Sequence, residues 1–368
     1  MRILVTGAKG FIGRHLVLAL KQLSNYEVIE FDRTQTEEQL FEELLNVDFI
    51  YHLAGINRPK KGTEFIEGNV NLTRKITSKL IEYKKNTPIL ITSSIQATLD
   101  NEYGSSKKQA ETILENYKQQ TNAPIFIYRL SNVFGKWCRP NYNSVIATFC
   151  YQIARNENVW LSDPKTELQL VYIDDVINEL VNVLEEKRDS TDYFEVSPVY
   201  KKTLGEIHKA LESFKSSREI NLIINLEDTF IKKLYSTYLS YLQPTEFSYP
   251  LKKKSDIRGS FAEMLKLDGY GQVAINVIKP GFTKGNHWHH TKVEKFLVVA
   301  GEGVIRLREI SSQEVIEIFV KAEHLEMIDI PVGYTHHIEN TGTNDLITVI
   351  WANEYFDPNH ADTFYLEV

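Results

Sequence analysis

The chain has 368 residues, of which 42% are hydrophobic and 25% are charged, and its formal net charge at pH 7 is −7. Single hydrophobic cores stop growing at roughly 250–300 residues, so we expect two domains. The acidic balance provides no basic field, and we expect neither nucleic acid nor an anionic membrane as a partner. No apolar stretch predicts a membrane-spanning helix or a signal segment. Two cysteines, Cys138 and Cys150, predict buried free thiols and a cytoplasmic location.

The first two thirds of the chain alternate short apolar runs with amphipathic segments. Strands are predicted at residues 3–5, 28–31, 49–53, 89–92 and 125–128, and helices at 13–22 and 66–83. Apolar strands that alternate with helices form a parallel sheet covered on both faces. Because the crossovers are right-handed, this pattern predicts a doubly wound α/β fold of the Rossmann type.

The first predicted strand runs into a glycine-rich turn that opens a helix. Gly7, Gly10 and Gly13 have the spacing of a dinucleotide fingerprint, in which the glycines allow a tight turn, a close pyrophosphate and close helix packing. The second strand ends at Asp32 and Arg33. An acidic residue there would hold the ribose 2′-hydroxyl of NAD, whereas an arginine would hold the 2′-phosphate of NADP. From these residues alone, both cofactors stay open.

A tyrosine and a lysine follow with helical spacing. Tyr103 and Lys107 lie one turn apart on the same face of a predicted helix. This pair suits proton delivery to a ketone oxygen, because a nearby ammonium lowers the pKa of a phenol. Thr92, Ser93 and Ser94 lie just upstream at a strand end, where a hydroxyl would polarise the carbonyl, and the residues alone do not choose among them.

In order along the chain, these motifs resemble those of the extended short-chain dehydrogenases/reductases, a group of nucleotide-sugar epimerases, dehydratases and reductases. The resemblance extends from residue 1 to about residue 242. It implies that Tyr103 is the acid, Lys107 its partner, Ser94 the polarising hydroxyl and Asn132 a substrate contact. It also favours NADPH, with Arg33 for the 2′-phosphate. The implied cofactor-binding residues are Gly7, Gly10, Phe11, Ile12, Gly13, Asp32, Arg33, Leu53, Ala54, Gly55, Asn69, Lys107 and Arg129.

Beyond a turn-rich stretch at residues 243–250 the pattern changes to short alternating strands. They are predicted at residues 272–278, 294–299, 303–308, 315–320, 327–330 and 346–351. Short strands punctuated by glycine and proline predict an antiparallel all-β barrel or sandwich. We therefore predict two domains, residues 1–245 and residues 246–368.

The second domain carries a metal-ligand pattern. His287 and His289 are two residues apart and would point to the same side of a strand, while Glu294 follows on the next strand and His336 completes the set. Three imidazoles and a carboxylate suit Zn, Fe, Mn or Ni, and we predict a divalent metal, with zinc first. The two segments resemble the paired motifs of cupins, except that Leu325 stands where a glycine is usual.

Residues 256–263 and 272–276 resemble the first strands of the dTDP-4-dehydrorhamnose 3,5-epimerases. That resemblance implies that Arg258 grips a nucleotide-sugar, and Lys284 is a further substrate-binding candidate. His290 and His337 are additional histidines that could exchange roles with the metal ligands beside them. Proton transfer next to a ketone has four candidates: His290, His337, Tyr334 and Lys284.

The combination of both parts resembles a family of bifunctional capsular polysaccharide synthesis enzymes. The resemblance implies a UDP-sugar substrate, UDP-2-acetamido-2,6-dideoxy-4-hexulose, which the cupin would epimerise at C3. The reductase domain would then reduce C4 with NADPH, giving UDP-N-acetyl-6-deoxy-talosamine on the route to N-acetyl-L-fucosamine. We expect a homodimer.

Three alternatives stay open. In the first, the chain is a reductase whose cupin is structural or a dimerisation module. In the second, it holds NADP as a regulator without turnover. In the third, the cupin is an iron-dependent dioxygenase.

Overall fold

The computed structural model describes residues 1–59, 63–185, 193–357 and 359–368. The chain divides into two compact units, one formed by Met1–Glu212 with Asp228–Gln243 and the other by Ser213–Glu227 with Pro244–Val368. The division between Gln243 and Pro244 lies two residues before the boundary expected from the sequence, between residues 245 and 246. The sequence pattern carried no signal that Ser213–Glu227 belongs with the second unit.

The described residues of the first unit form nine strands, and the helices are numbered along the whole chain. The strands are β1 (Arg2–Thr6), β2 (Glu27–Phe31), β3 (Phe49–His52), β4 (Ile89–Ser94), β5 (Ile125–Leu130), β6 (Asn132–Phe134), β7 (Glu167–Tyr172), β8 (Tyr193–Phe194) and β9 (Tyr200–Thr203). The helices are α1 (Phe11–Gln22), α2 (Glu37–Leu44), α3 (Thr63–Phe65), α4 (Leu72–Glu82), α5 (Glu102–Thr121), α6 (Val145–Ala154), α7 (Ile173–Glu185), α8 (Leu204–Glu219) and α9 (Thr229–Leu239).

A parallel sheet organises the first unit and confirms the predicted doubly wound fold. Its strand order is β2-β1-β3-β4-β5-β8, and the paired strands are parallel. Because β2 and β3 lie on opposite sides of β1, the order in which strands are added to the sheet reverses at β1. The carboxyl ends of β1 and β3 therefore border the crevice where such folds bind ligands. A smaller sheet, β6-β7-β9, was not anticipated from the sequence.

Apolar side chains from successive strands fill the core on one face of this sheet. Leu4, Ile50, Ile91 and Ile127 come from four neighbouring strands and belong to one buried cluster with Leu114 of α5. Full burial of each such side chain stabilises the fold by about 1.5–3 kcal/mol. The near-continuous burial of β3 and β4 explains why the sequence there is apolar without alternation.

The predicted helix at residues 66–83 differs in its first turns. A short α3 leads into a wider π-helical segment, Ile66–Asn71, and regular α4 begins only at Leu72. Within this segment the Asn69 side chain bonds both main-chain groups of Ile56. Wide turns of this kind are frequent at functional sites, because the extra residue redirects a side chain.

Among its described residues, the second unit is all-β apart from its part of α8 and a short 3-10 turn at Pro244–Glu246, which confirms the predicted class. Its strands are β10 (Leu222–Ile223), β11 (Lys253–Asp256), β12 (Gly259–Leu267), β13 (Gly271–Ile278), β14 (Thr283–Trp288), β15 (Glu294–Ala300), β16 (Glu302–Glu309), β17 (Val315–Lys321), β18 (Met327–Ile330), β19 (Tyr334–Asn340), β20 (Leu346–Ala352) and β21 (Phe364–Tyr365). They form a sheet ordered β10-β12-β13-β20-β15-β18, with β11 beside β12, and a second sheet ordered β17-β16-β19-β14-β21.

Inward-facing residues of both sheets make one apolar core. Ile278 and Phe296 come from the first sheet, and Ile305 and Ile338 come from the second. Leu325, in the turn before β18, has a φ of +48° and is 62% exposed. The backbone there takes the left-handed conformation that favours glycine, as the cupin motif predicts. Across the part of the chain that the structure describes, no helix is both long and apolar enough to cross a membrane.

Candidate functional site

The glycine-rich turn at the end of β1 packs closely against neighbouring main chain and leads into α1. Gly7 has a φ of +70°, and a Cβ there would lie 2.7 Å from the main-chain nitrogen of Ala54. A Cβ on Gly13 would lie 2.1 Å from the Gly7 carbonyl oxygen. Gly10 is the N-cap of α1, which begins at Phe11. Since the first amides of a helix lack internal partners, this cradle fits a dinucleotide pyrophosphate.

Asp32 and Arg33, at the end of β2, adjoin that turn. The Asp32 carboxylate accepts hydrogen bonds from the main-chain nitrogens of Lys9 at 2.8 Å and of Arg33 at 2.7 Å. The aspartate thus holds the glycine-rich turn, and the Arg33 side chain is exposed beside it. Both residues lie at the end of β2, where a side chain would contact the 2′-hydroxyl of NAD or the 2′-phosphate of NADP. The geometry alone therefore selects neither cofactor.

The segment after β3 is packed between two predicted cofactor residues. A Cβ on Gly55 would lie 2.9 Å from Oδ1 of Asn69 and 3.2 Å from Nζ of Lys107. Asn69 also donates to the Ser106 hydroxyl at 2.9 Å. The fold therefore brings the Leu53–Gly55 motif, the π-helical turn and α5 to the carboxyl edge of the sheet.

Ser94, Tyr103 and Lys107 meet at the end of β4. Burial raises the pKa of the Tyr103 phenol, and a hydrogen bond with Ser94 opposes that rise. Lys107 is buried, and its Nζ lies 5.9 Å from the centre of the Tyr103 ring. Burial lowers the pKa of Lys107 to about 8, because desolvation disfavours the charged ammonium form. A phenol, an ammonium and a hydroxyl in one place can polarise a carbonyl and protonate it.

Ser93 and Arg129 have another partner. The Ser93 hydroxyl donates to Oε1 of Glu111 at 2.6 Å, because successive residues of a strand point to opposite faces. Arg129 forms a bidentate ion pair with the same buried carboxylate, at 2.9 and 2.7 Å. Asn132 is exposed and donates to the Gln169 carbonyl at 3.0 Å. The structure therefore groups Ser94 with Tyr103, and Ser93 and Arg129 with Glu111.

In the second unit the four predicted metal ligands converge. One potential ligand atom from each of His287, His289, Glu294 and His336 lies within 4.8 Å of all the others. Nε2 of His289 and Nε2 of His336 lie 3.6 and 3.2 Å from the same oxygen of Glu294. Both nitrogens are buried and lack a hydrogen bond of good geometry among the described residues.

The donor set fits a divalent metal. The second nitrogen of His289 contacts the Asp362 carbonyl, and that of His336 lies 3.4 Å from the Tyr334 carbonyl, so Nε2 remains for the ion. Burial and the neighbouring His336 lower the pKa of His287 to about 4, which favours the neutral imidazole that binds metals. Burial opposes ionisation of Glu294, yet the adjoining imidazoles and Lys292 hold its pKa well below the usual value.

A β-bulge orients the first ligand. The pairing of β14 with β19 shifts between Gly285 and His287, which faces His336, and the extra residue Asn286 has a φ of +61°. A Cβ on Gly285 would lie 2.6 Å from Cα of His337, so the strands need glycine there. A Gly-Asn pair is a sequence signal for positive φ, and the sequence analysis did not use this signal to predict the bulge in β14.

A cavity of about 460 Å³ opens onto this cluster. Three of the ligands, His287, Glu294 and His336, line it, and so do Arg258 and Lys284. Lys284 donates to two main-chain carbonyls and to the Asn276 side chain at 3.0–3.2 Å. The Arg258 guanidinium is paired with Asp256 at 2.7 Å. These cations suit a sugar nucleotide, whose diphosphate is anionic.

Lys292 also lines the cavity and was missed in the sequence. Its Nζ lies 3.3 Å from Oε1 of Glu294, and the residue is 8% exposed. The only local signal was its position two residues before the glutamate. A lysine in a polar loop is ordinarily solvated, so nothing in the sequence distinguished this one.

Three of the four proton-transfer candidates lie away from the cavity. His290 is exposed and packs against Trp288 and Phe364. His337 bonds Asn286 at 2.8 Å on the face of β19 opposite His336, because neighbouring strand residues alternate. Tyr334 packs against the apolar core at the start of β19. Lys284 is the candidate that the fold brings to the cavity wall.

The sequence matches two protein families over defined ranges. The NAD dependent epimerase/dehydratase family matches residues 3–196, and the polysaccharide biosynthesis C-terminal domain matches residues 254–364. The UDP-2-acetamido-2,6-beta-L-arabino-hexul-4-ose reductase of Pseudomonas aeruginosa is 42% identical over 368 residues, which cover 100% of this chain and 99% of the relative. UDP-glucuronic acid decarboxylase 6 of Arabidopsis thaliana is 27% identical over 276 residues, 62% of this chain and 78% of that protein.

Solved structures give the same relationship. The capsular polysaccharide assembling protein CapF from Staphylococcus aureus superposes with a TM-score of 0.93 at 50% identity, over 100% of both chains. UDP-glucuronic acid 4-epimerase from Bacillus cereus matches at a TM-score of 0.57 and 20% identity over 66% of this chain and 99% of its own, a likeness of fold alone. The chain therefore belongs to the NAD-dependent epimerase/dehydratase family and, within it, to the group of two-part proteins that includes CapF.

Proposed function

We propose that the chain is a bifunctional nucleotide-sugar enzyme of capsular polysaccharide synthesis. The cupin unit epimerises UDP-2-acetamido-2,6-dideoxy-4-hexulose at C3. The first unit then reduces the C4 ketone with NADPH to UDP-N-acetyl-6-deoxy-talosamine. The observation that carries the proposal is the end-to-end similarity, at 42% identity, to a reductase named for a UDP-linked 2-acetamido-4-hexulose.

The reductive half needs a proton for the oxygen of the ketone. NADPH supplies a hydride to C4 when it is bound in the cradle of Gly7, Gly10 and Gly13. Tyr103 donates its phenolic proton to O4 as negative charge develops there, and Ser94 holds the same oxygen with a hydrogen bond. The Lys107 ammonium stabilises the phenolate left behind. The closeness of Ser94 to Tyr103 supports this assignment over one with Ser93.

The epimerising half needs an acidic C3 hydrogen. A C4 ketone supplies it, because the carbanion is delocalised onto oxygen as an enolate. Zinc held by His287, His289, Glu294 and His336 would stabilise that negative charge. A base takes the C3 proton on one face of the sugar, and a proton returns to C3 from the opposite face. Lys284 is the proton-transfer candidate at the cavity wall, and Arg258 meets the diphosphate. Reduction at C4 then removes the ketone, so the new C3 configuration can no longer revert.

The test follows both reactions in one sample. The full chain is given the UDP-4-keto sugar in deuterated water, with and without NADPH, and the products are analysed by NMR. We expect deuterium at C3 without NADPH, and a reduced, C3-deuterated sugar with it. Tyr103→Phe should lose reduction and keep deuterium uptake, while His289→Ala should lose deuterium uptake at C3.

Matched variants control for general damage. Tyr151→Phe and His324→Ala change the same residue types outside both sites and should retain both reactions. The name of the Pseudomonas relative describes only a reductase. This favours the alternative in which the cupin is structural or a dimerisation module, and that alternative predicts no deuterium at C3 in the wild-type chain.

We also propose a cytoplasmic homodimer. Exposed apolar side chains on β17, the outermost strand of its sheet, support self-association: Val315, Ile316 and Phe319 are 42%, 46% and 72% exposed. Light scattering after size exclusion should give twice the chain mass, and Phe319→Glu should shift the protein to the monomer. A wild-type monomer at micromolar concentration would refute the dimer.

A further inference from the structure

Asp362 is connected to the metal cluster by its side chain and its main chain. Its carboxylate accepts hydrogen bonds from the main-chain nitrogens of His290, Thr291 and Lys292 at 2.9, 2.7 and 2.9 Å, and from the Thr291 hydroxyl at 3.1 Å. Its carbonyl oxygen accepts a hydrogen bond from Nδ1 of His289. One residue therefore satisfies three consecutive amides and one imidazole.

The turn that Asp362 holds connects two metal ligands. His289 follows the last residue of β14, and Glu294 is the first residue of β15, so residues 290–293 set the spacing between them. Three adjacent N–H groups that point at one carboxylate define the conformation of this turn. A loop without that acceptor would expose the same amides to water and sample other conformations.

The carbonyl contact selects the tautomer of His289. A carbonyl can only accept, so Nδ1 carries the proton and Nε2 presents its lone pair toward Glu294, 3.6 Å away. His289 is 2% exposed, so water does not compete for this bond. Metal-binding histidines commonly use such a partner to fix ring orientation and raise basicity.

The segment that carries Asp362 is itself attached to the ligand strands. In β21, Phe364 pairs with Trp288 and Tyr365 pairs with His287 of β14. The Leu366 nitrogen donates to the Asn286 carbonyl at 3.1 Å. Asp362 thus has a defined position relative to β14.

We infer that Asp362 is a positioning residue of the metal site, which holds the 290–292 turn with its carboxylate and the Nδ1–H tautomer of His289 with its carbonyl. The inference rests on the proposed metal site. It concerns a residue that the sequence patterns did not single out.

The test is the zinc affinity of the full chain, measured by competition with a chromophoric chelator. Asp362→Asn keeps the side-chain size but removes the negative charge, and it leaves one acceptor oxygen for amides that now share two. We expect its zinc affinity to fall 10- to 100-fold. Asp357→Asn is the matched control, because Asp357 bonds the Asn359 nitrogen at 2.9 Å and His360 at 3.1 Å. The control should bind zinc like the wild type.

The outcomes separate the two proposals. A wild-type chain without zinc affinity contradicts the metal site itself, whereas equal affinity of the wild type and Asp362→Asn overturns only the role of Asp362. Melting with and without zinc distinguishes positioning from folding, since positioning predicts a smaller zinc-induced rise in Tm. If Asp362→Asn does not fold, Asp362→Ser takes its place, and an unchanged rise in Tm overturns the inference.

Discussion

The Lys107 ammonium donates a hydrogen bond to the main-chain oxygen of Thr92 at 3.0 Å, which joins α5 to the end of β4. This bond holds a buried positive charge beside Tyr103. It also ties the reductive site to the stability of the fold, because the charge is desolvated.

The titration of Lys107 should be visible in protein stability. Burial lowers its pKa from 10.5 to about 8, so between these values the folded chain binds fewer protons than the unfolded chain. The contribution of Lys107 to stability therefore rises with pH across that window. Relative to Lys107→Met, the wild type should gain roughly 2–3 kcal/mol of unfolding free energy between pH 7 and pH 10.

Urea unfolding of both proteins at the two pH values measures this gain. Lys118→Met, which changes a half-buried lysine of the same helix outside the group of Ser94, Tyr103 and Lys107, is the control and should follow the wild type. Parallel stability of wild type and Lys107→Met at both pH values would contradict the buried charge.

Replacing each of two adjacent serines should affect a different property, the reduction rate for Ser94 and the stability for Ser93. Ser94→Ala removes a hydroxyl beside Tyr103 and should lower the reduction rate about 10²- to 10³-fold with little change in Tm. Ser93→Ala removes a bond to buried Glu111 and should cost about 1.5–3 kcal/mol of stability while the rate stays near that of the wild type. NADPH oxidation and thermal melting are measured on both variants. The same loss of rate in the two variants would reject the assignment of Ser94.

Replacing a buried amide in the cavity wall should increase the stability of the protein and weaken its binding of UDP-sugar. Gln272 is 4% exposed, and its Oε1 has no hydrogen-bond partner among the residues that the structure describes. Gln272→Met should raise the free energy of unfolding by about 1 kcal/mol and weaken UDP-sugar binding, because the acceptor is lost. Melting and calorimetric titration check the two effects, with exposed Gln313→Met as the control. A less stable Gln272→Met protein would contradict the expectation.

The strained turn before β18 should relax when a glycine is introduced. Leu325 has a φ of +48° and is largely exposed, so its side chain stabilises little while its backbone is unfavourable. Leu325→Gly should raise the unfolding free energy by about 1 kcal/mol. Leu325→Ala keeps a Cβ and should not, which makes it the matched control in a urea titration.

Local sequence patterns determined much of this protein. The strand-turn-helix glycines, the helical spacing of Tyr103 and Lys107, and the metal ligands are local signals, because backbone sterics and periodicity act over a few residues. These signals predicted both fold classes. The cupin motif expects glycine at position 325, and Leu325 there has a left-handed backbone conformation.

The tertiary structure decided what depends on distant partners. Ser93 turns to Glu111 and Ser94 to Tyr103 because of how β4 packs against α5, and a sequence shows no such partner. Lys292 and Asp362 reach the histidine–glutamate cluster from a polar loop and from a segment some 70 residues further on. Strand pairing and loop anchoring bring those groups together, and both are long-range contacts that periodicity does not encode.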